Sequence, residues 1–230
     1  MIKSIPLNPL ALLKFKITCL VPVYNNQKTV GRVVETLLSI KDIKEVIVIN
    51  DGSRDLTSKK LQNYLDHHKC NIISTVKNKG KGWAIAMGIN EAKGNVILMC
   101  DADLALIDIS HIVSLIQTFK KNRYQMVVAS RGPINSLMSR FFASLSGERI
   151  FYKKTLSSKY LQLMKKSGYG VEKIINHAHR SKKVGFIVSQ NIGHILKFEK
   201  HNFSTCLWEY FKESANVFSM DVRLKFFRAN

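Results

Sequence analysis

The stretch ILMCDADL, Ile97 to Leu104, runs from residues that suit a buried strand into two carboxylates with one alanine between them. A buried strand should not end in unpaired charge, because desolvating a carboxylate is costly. Asp101 and Asp103 therefore call for countercharge. Two carboxylates at i and i+2 on a tight turn can hold a hard divalent cation such as Mg²⁺ or Mn²⁺, which takes oxygen ligands and bridges to phosphate oxygens. Such an ion would supply the countercharge and stabilise charge on a departing diphosphate. The plainer reading is an exposed loop of helix-capping acids.

Two further stretches carry chemistry. In NDGSRD, Asp51–Gly52 is a turn signal. Its functional reading is a carboxylate that accepts hydrogen bonds from a base or ribose. In KNKGKGWAIAMG, Lys77 to Gly88, two glycines and two lysines precede a helix start, which suits a phosphate-binding loop. The stretch is neither GxxxxGK[ST] nor GxGxxG directly after a strand.

The elements that must position these groups alternate. KITCLVPV (Lys16–Val23), EVIVIN (Glu45–Asn50), NIISTV (Asn71–Val76), GNVILMC and QMVVAS (Gln125–Ser130) read as strands. TVGRVVETLLSI (Thr29–Ile40), LTSKKLQNYLDHH with Asp55 as its cap, KGWAIAMGINEA (Lys81–Ala92) and ISHIVSLIQTFKK (Ile109–Lys121) read as helices. Strand and helix alternating through short connections predict an α/β fold, a mostly parallel sheet with helices on both faces. Ligands of such sheets bind beyond the carboxyl ends of the strands. PVYNN, NDGS and DAD all fall there, and strand order decides whether they converge. After Gly132 the pattern is less regular: SLMSRFFASL reads as a helix, SGERIFYKKTL as strand and turn, GYGVEKIINHAHR as a helix and KKVGFIVSQ as a strand. With no visible linker, residues 1–230 are read as one domain.

Composition bounds the class. The chain of 230 residues is 46% hydrophobic and 23% charged, which is globular rather than disordered. Its formal net charge of +20 predicts attraction to polyanions, whether nucleic acid, anionic lipid surfaces or phosphorylated substrates. The basic residues are dispersed, without an arginine-rich arm or zinc-finger spacing, so no specific nucleic-acid reading is expected. Cys19, Cys70, Cys100 and Cys206 are far apart and outside any CxxC, with Cys19 and Cys100 in apolar runs. A reducing compartment and buried thiols are expected. The N-terminal apolar run is broken by Pro6 and Pro9 and does not read as a signal peptide. No run reaches the ~18 apolar residues of a membrane span. A cytoplasmic protein, in peripheral contact with the inner face of a membrane at most, is the expectation.

VPVYNN, then NDGSRDLT, then NKGKGWAIAMGINEAKGNVILMCDADL, in this order, resemble the family 2 glycosyltransferases with the GT-A fold. SGERIFYKKTL and GYGVEKIINHA are similar to acceptor-side segments of its dolichol-phosphate-mannosyltransferase-like and glucosyl-3-phosphoglycerate-synthase-like members. The resemblance covers roughly Lys16 to Lys200. It implies a nucleotide-diphosphate-sugar donor bound by about residues 16–131, and an acceptor side formed by about 132–230. Pro22, Tyr24 and Asn25 would line the base pocket, and Asp51 would contact base or ribose. Lys81 and the Gly80–Gly82 turn would lie near base, ribose or phosphate. Asp101 would face ribose and metal, Ala102 would line the nucleotide site, and Asp103 would ligate Mn²⁺ or Mg²⁺. Many members use a late histidine as a metal ligand, and NIGHILKFEK puts His194 in the matching region. Two positions depart from the family: Asn26 stands where Glu is frequent, and Asn50 where an acid often precedes the aspartate. Both bear on the donor pocket, which leaves the base open.

On the acceptor side, Arg149 in SGER is the candidate for an acceptor phosphate, with Arg131 as the alternative. Glu172 is the candidate to orient an acceptor or act as base, with Glu148 second. The expected acceptor bears phosphate, either a polyprenyl phosphate or a small phosphorylated molecule. A homodimer is compatible with this reading. Two other classes compete with this reading. A sugar-phosphate nucleotidyltransferase would want a glycine-rich basic signature after the first strand, and PVYNN is not one. An inactive protein that binds an anionic surface or nucleic acid fits the charge but not the intact Asp101 and Asp103.

Overall fold

The computed structural model describes residues 15–104, 109–130, 146–168 and 170–188, with residues 220, 223, 224 and 227. Seven strands form one sheet: β1 (Ile17–Val23), β2 (Ile43–Asn50), β3 (Cys70–Ser74), β4 (Val96–Met99), β5 (Met126–Ser130), β6 (Arg149–Tyr152) and β7 (Val184–Val188). Six helices are described: α1 (Val30–Ser39), α2 (Thr57–Leu61), α3 (Lys81–Glu91), α4 (Ile109–Lys121), α5 (Ser158–Met164) and α6 (Val171–Ala178). The strand order is β3-β2-β1-β4-β6-β5-β7.

β1, β2 and β4 are apolar on both faces because helices cover both. Cys19, Val21, Val46, Val48 and Leu98 face a core closed by Val33, Val34 and Leu37 of α1 and Ile112, Leu115 and Phe119 of α4. Leu20, Ile47, Ile49, Ile97 and Met99 face the opposite core, closed by Ala84, Ile85 and Ile89 of α3 and Ile174 and Ile175 of α6. Cys19 and Cys100 are free, buried thiols, as expected, and burial pushes both well up from the ordinary thiol range.

The strand order answers the question of convergence. β1 pairs in parallel with β2 on one side and β4 on the other. The chain therefore reverses its direction of winding between β1 and β4, and the crevice opens beyond their carboxyl ends. PVYNN, NDGS and DAD leave from that edge. β6 runs antiparallel between β4 and β5, with Met99 opposite Arg149. The C-terminal third thus supplies strands to the same sheet and brings SGER beside DAD.

One element is shorter than its sequence suggests. The helix read from LTSKKLQNYLDHH ends at Leu61 and passes into a tighter turn at Gln62–Tyr64. Only Thr57 and Leu61 of α2 are buried, so the segment has too little apolar face to sustain more turns. Leu56, not Asp55, stands at the N-cap; Asp55 lies one residue earlier, where its carboxylate accepts the Thr57 N–H at 2.9 Å. Burial pushes the Asp55 carboxyl up, but hydrogen bonds from Thr57 and Gln27 outweigh it and hold it below its ordinary value. The helix expected in SLMSRFFASL lies outside the described residues. Among the described residues, no helix is long and apolar enough to cross a membrane.

Candidate active site

The loops after β1 and β2 are laced together. Asn25 takes a left-handed backbone (φ 52°), which asparagine tolerates. Its N–H donates to Ser53 Oγ at 3.0 Å, and its Oδ1 accepts the Arg54 N–H at 2.8 Å. The Asn26 N–H donates to Thr57 Oγ1, the Gln27 N–H to Asp55, and the Leu56 N–H to Gln27 Oε1. The Asn50 side chain turns inward, donating to Ser58 Oγ and accepting the Ser53 N–H. It is a staple of this loop, 2% exposed. Tyr24 projects above the loop, 41% exposed, and Pro22 is half-buried on β1.

Asp51 shapes the next loop. It is buried, and it accepts the Lys79 N–H on Oδ1 at 2.9 Å and the Gly80 N–H on Oδ2 at 2.7 Å. Gly80 has φ +95°, which allows the chain to enter α3 at this angle. The Gly82 N–H donates to Gly168 O at 2.8 Å, and a Cβ at Gly82 would lie 2.1 Å from Ser167 Oγ. The amides of Lys79, Gly80 and Gly82 are thus committed within the protein. The glycines here allow close packing of the loop against Asp51, Ser167 and Gly168.

Lys81, the first residue of α3, supplies the countercharge that the end of β4 requires. Its Nζ lies 2.7 Å from Asp101 Oδ1 and 2.8 Å from Glu172 Oε1. The three side chains are 20%, 19% and 9% exposed. Burial opposes the ammonium, but Asp101 and Glu172 outweigh it and raise its pKa. Glu172 is in the first turn of α6, where the helix dipole favours an anion. Asp101 lies against Gly147, where a Cβ would stand 2.0 Å from Oδ2. Ala102 is buried, and its carbonyl accepts the Thr29 hydroxyl at 2.6 Å, which ties DAD to the start of α1. Asp103 is half-buried.

Arg149 differs from its expected role. It is 0% exposed, and its guanidinium donates to Glu172 O at 3.3 Å, to Asn176 Oδ1 at 2.9 Å and to Ser146 O. A side chain so enclosed does not reach out to an acceptor phosphate. It fixes the start of α6, and with it Glu172, against β6. Glu148 is also buried, and its Oε2 accepts the Ser146 hydroxyl at 2.9 Å.

The structure thus brings Lys81, Asp101 and Glu172 into one cluster, with Arg149 behind it and Asp51 beneath the loop. His194 and Arg131 lie outside the described residues. Sequence reasoning missed Gly147, Gly168, Thr29 and Ser53. The small residues of SGER and GYG were visible, but their partners are remote in sequence.

The donor set fits a hard divalent cation. Asp101 and Asp103 offer carboxylate oxygens at the crevice. Among the described residues, four acids (Asp101, Asp103, Glu148, Glu172) lie near two bases (Lys81, Arg149), a formal charge of −2. A diphosphate entering this field needs additional positive charge. Among the described residues no group of three or more His, Cys, Asp or Glu side chains forms a complete metal site. Further ligands would therefore come from solvent, from a bound ligand, or from residues such as His194.

Comparison with known proteins bears on the family and the fold. The sequence profile of glycosyl transferase family 2 matches residues 18–193. Dolichyl-phosphate beta-glucosyltransferase of Homo sapiens is 39% identical over 100 residues, covering 38% of this chain and 31% of that protein. Poly-beta-1,6-N-acetyl-D-glucosamine synthase of Staphylococcus epidermidis is 34% identical over 128 residues, covering 53% of this chain and 31% of that protein. The matched stretches span about a third of the length of these curated relatives. Glucosyl-3-phosphoglycerate synthase from Mycobacterium tuberculosis, solved with Mn²⁺, uridine diphosphate and phosphoglyceric acid, superposes with a TM-score of 0.71 at 18% identity, over 96% of this chain and 82% of that one. At that identity the likeness speaks for the fold.

Proposed function

The chain belongs to glycosyl transferase family 2 and has its GT-A-like α/β fold, and from this premise we propose that it transfers a sugar from a nucleotide-diphosphate-sugar to a phosphate-bearing acceptor, with Mn²⁺ or Mg²⁺ at Asp101 and Asp103. The observation that carries the reading is the meeting of Asp101, Lys81 and Glu172 at the crevice beyond β1 and β4. The cation, completed by His194, would stabilise charge on the departing diphosphate. All other work falls to the chain itself.

Pro22, Tyr24 and Asn25 border the base, and Asp51 holds the loop beneath it through bonds from Thr75, Lys79 and Gly80. Gly80 and Gly82 set the entry of α3 so that Lys81 faces the crevice. Lys81 lies near the donor phosphates, and Ala102 lines the floor. Glu172, paired with Lys81 at 2.8 Å, orients the acceptor or accepts its proton; an acceptor that attacks through phosphate oxygen needs no base. Arg149 positions Glu172. Residues 1–230 act as one domain, with the donor held by 16–131 and the acceptor by 132–230. A polyprenyl phosphate and a small phosphorylated acceptor are both compatible with the net charge of +20, which also suits peripheral docking on the cytoplasmic face of an anionic bilayer. A thermal-shift screen of UDP-, GDP- and dTDP-sugars with and without Mn²⁺ tests the reading. Stabilisation by one donor class, only with metal, is expected; no stabilisation by any donor would refute it.

A further inference from the structure

Lys81 is anchored on both sides. The amides of Lys79 and Gly80 are held by Asp51, and Gly82 is docked on Gly168 and Ser167. The ammonium can therefore move only by the freedom of its own side chain. It lies between one acid of the donor side, Asp101, and one of the acceptor side, Glu172, at nearly equal distances of 2.7 and 2.8 Å. Asp101 has little room of its own, since Oδ1 meets Lys81 and Oδ2 lies over Gly147.

We propose that Lys81 is a positioning residue that competes with the divalent cation for Asp101 and couples entry of the cation to Glu172. This rests on the proposed metal role of Asp101. Without the cation, the ammonium neutralises Asp101 and Glu172 together. A cation that takes Asp101 displaces the ammonium, and Glu172 is the acid that remains to receive it. Filling of the donor side thereby tightens the ion pair that holds the acceptor-side acid. Arg149 and Asn176 fix the backbone beneath Glu172, so the ammonium moves toward a carboxylate that stays in place.

The test is Mn²⁺ binding without nucleotide, read from the electron paramagnetic resonance of free Mn²⁺. It compares wild type, Lys81→Met, Glu172→Gln and the double variant, with melting curves to show folding. Removing a unit charge near the ion should tighten Mn²⁺ binding on the order of tenfold in Lys81→Met. Glu172→Gln, which leaves the ammonium wholly to Asp101, should weaken binding a few-fold, and this effect should shrink when Lys81 is already Met. Lys81→Gln serves as a second charge-free variant should Lys81→Met not fold. Unchanged or weaker binding in both Lys81 variants, or fully additive effects of the pair, overturns the coupling and leaves the metal role standing. Mn²⁺ binding in none of the chains overturns both.

Discussion

Gly147→Ala is a one-carbon probe of the cluster. The added Cβ would lie 2.0 Å from Asp101 Oδ2, 2.6 Å from Cγ and 2.8 Å from Oδ1. Real contacts of this kind essentially never fall under 3.0 Å, so the carboxylate must retreat by about 1 Å. Retreat from Lys81 would lengthen the ion pair from 2.7 to about 3.7 Å. At an effective dielectric of about 20 the lost attraction is about 2 kcal/mol. In a chain of this length that lowers the melting temperature by about 4–8 °C. Gly31→Ala in α1 is the control of opposite sign. Its Cβ would meet only Tyr64 Oη at 3.6 Å, an ordinary contact, and replacing glycine by alanine within a helix stabilises by roughly 0.5–1 kcal/mol. Differential scanning calorimetry of the three proteins decides the matter. A Gly147→Ala protein that melts with wild type would refute the reasoning about Asp101.

Three other outcomes are expected. His194→Ala should weaken Mn²⁺ binding and sugar transfer together while sparing metal-free nucleotide binding; an unchanged Mn²⁺ midpoint for activity would remove this residue from the site. Anionic vesicles should carry the protein in flotation at low salt and release it at high salt, and binding indifferent to salt would contradict docking by charge. His179 is 1% exposed; burial lowers its pKa, its bond to Ile175 O raises it, and Arg149 and Lys182 lower it further. The unfolded chain then accepts a proton that the folded one resists, so the contribution is intact above about pH 6.5 and is lost as the pH falls below it. Urea melts at pH 7.5 and 5.5 should show this loss in wild type, and a smaller one in His179→Gln.

Much of this was legible in the sequence. The centres of runs such as EVIVIN and GNVILMC are continuously apolar because both faces of a parallel sheet are covered, and their ends at NDGS and DAD mark the crevice. Strand order was not legible, because β6 enters antiparallel between β4 and β5 through pairing that no local pattern encodes. Asp101 invited a metal, and the cation the structure gives it is Lys81, 20 positions earlier. That pair depends on how α3 docks, which is fixed by Gly82 against Gly168. Arg149 carried a missed signal. In RIFY it shares a strand face with Phe151, a core residue, so period-two alternation already aims it inward. Asn50 stood out as a departure from the family, and its hydrogen bonds to Ser58 and Ser53 tie it to the loop.

The most direct measurement is release of nucleoside diphosphate from UDP-, GDP- and dTDP-sugars by wild type and by Asp103→Asn, with Mn²⁺ and with chelator, alongside melting curves. Release from one donor class by wild type, dependent on Mn²⁺ and abolished in an Asp103→Asn protein that still folds, is the predicted result. Wild-type release in the presence of chelator, or undiminished release by Asp103→Asn, would contradict a cation held at the end of β4.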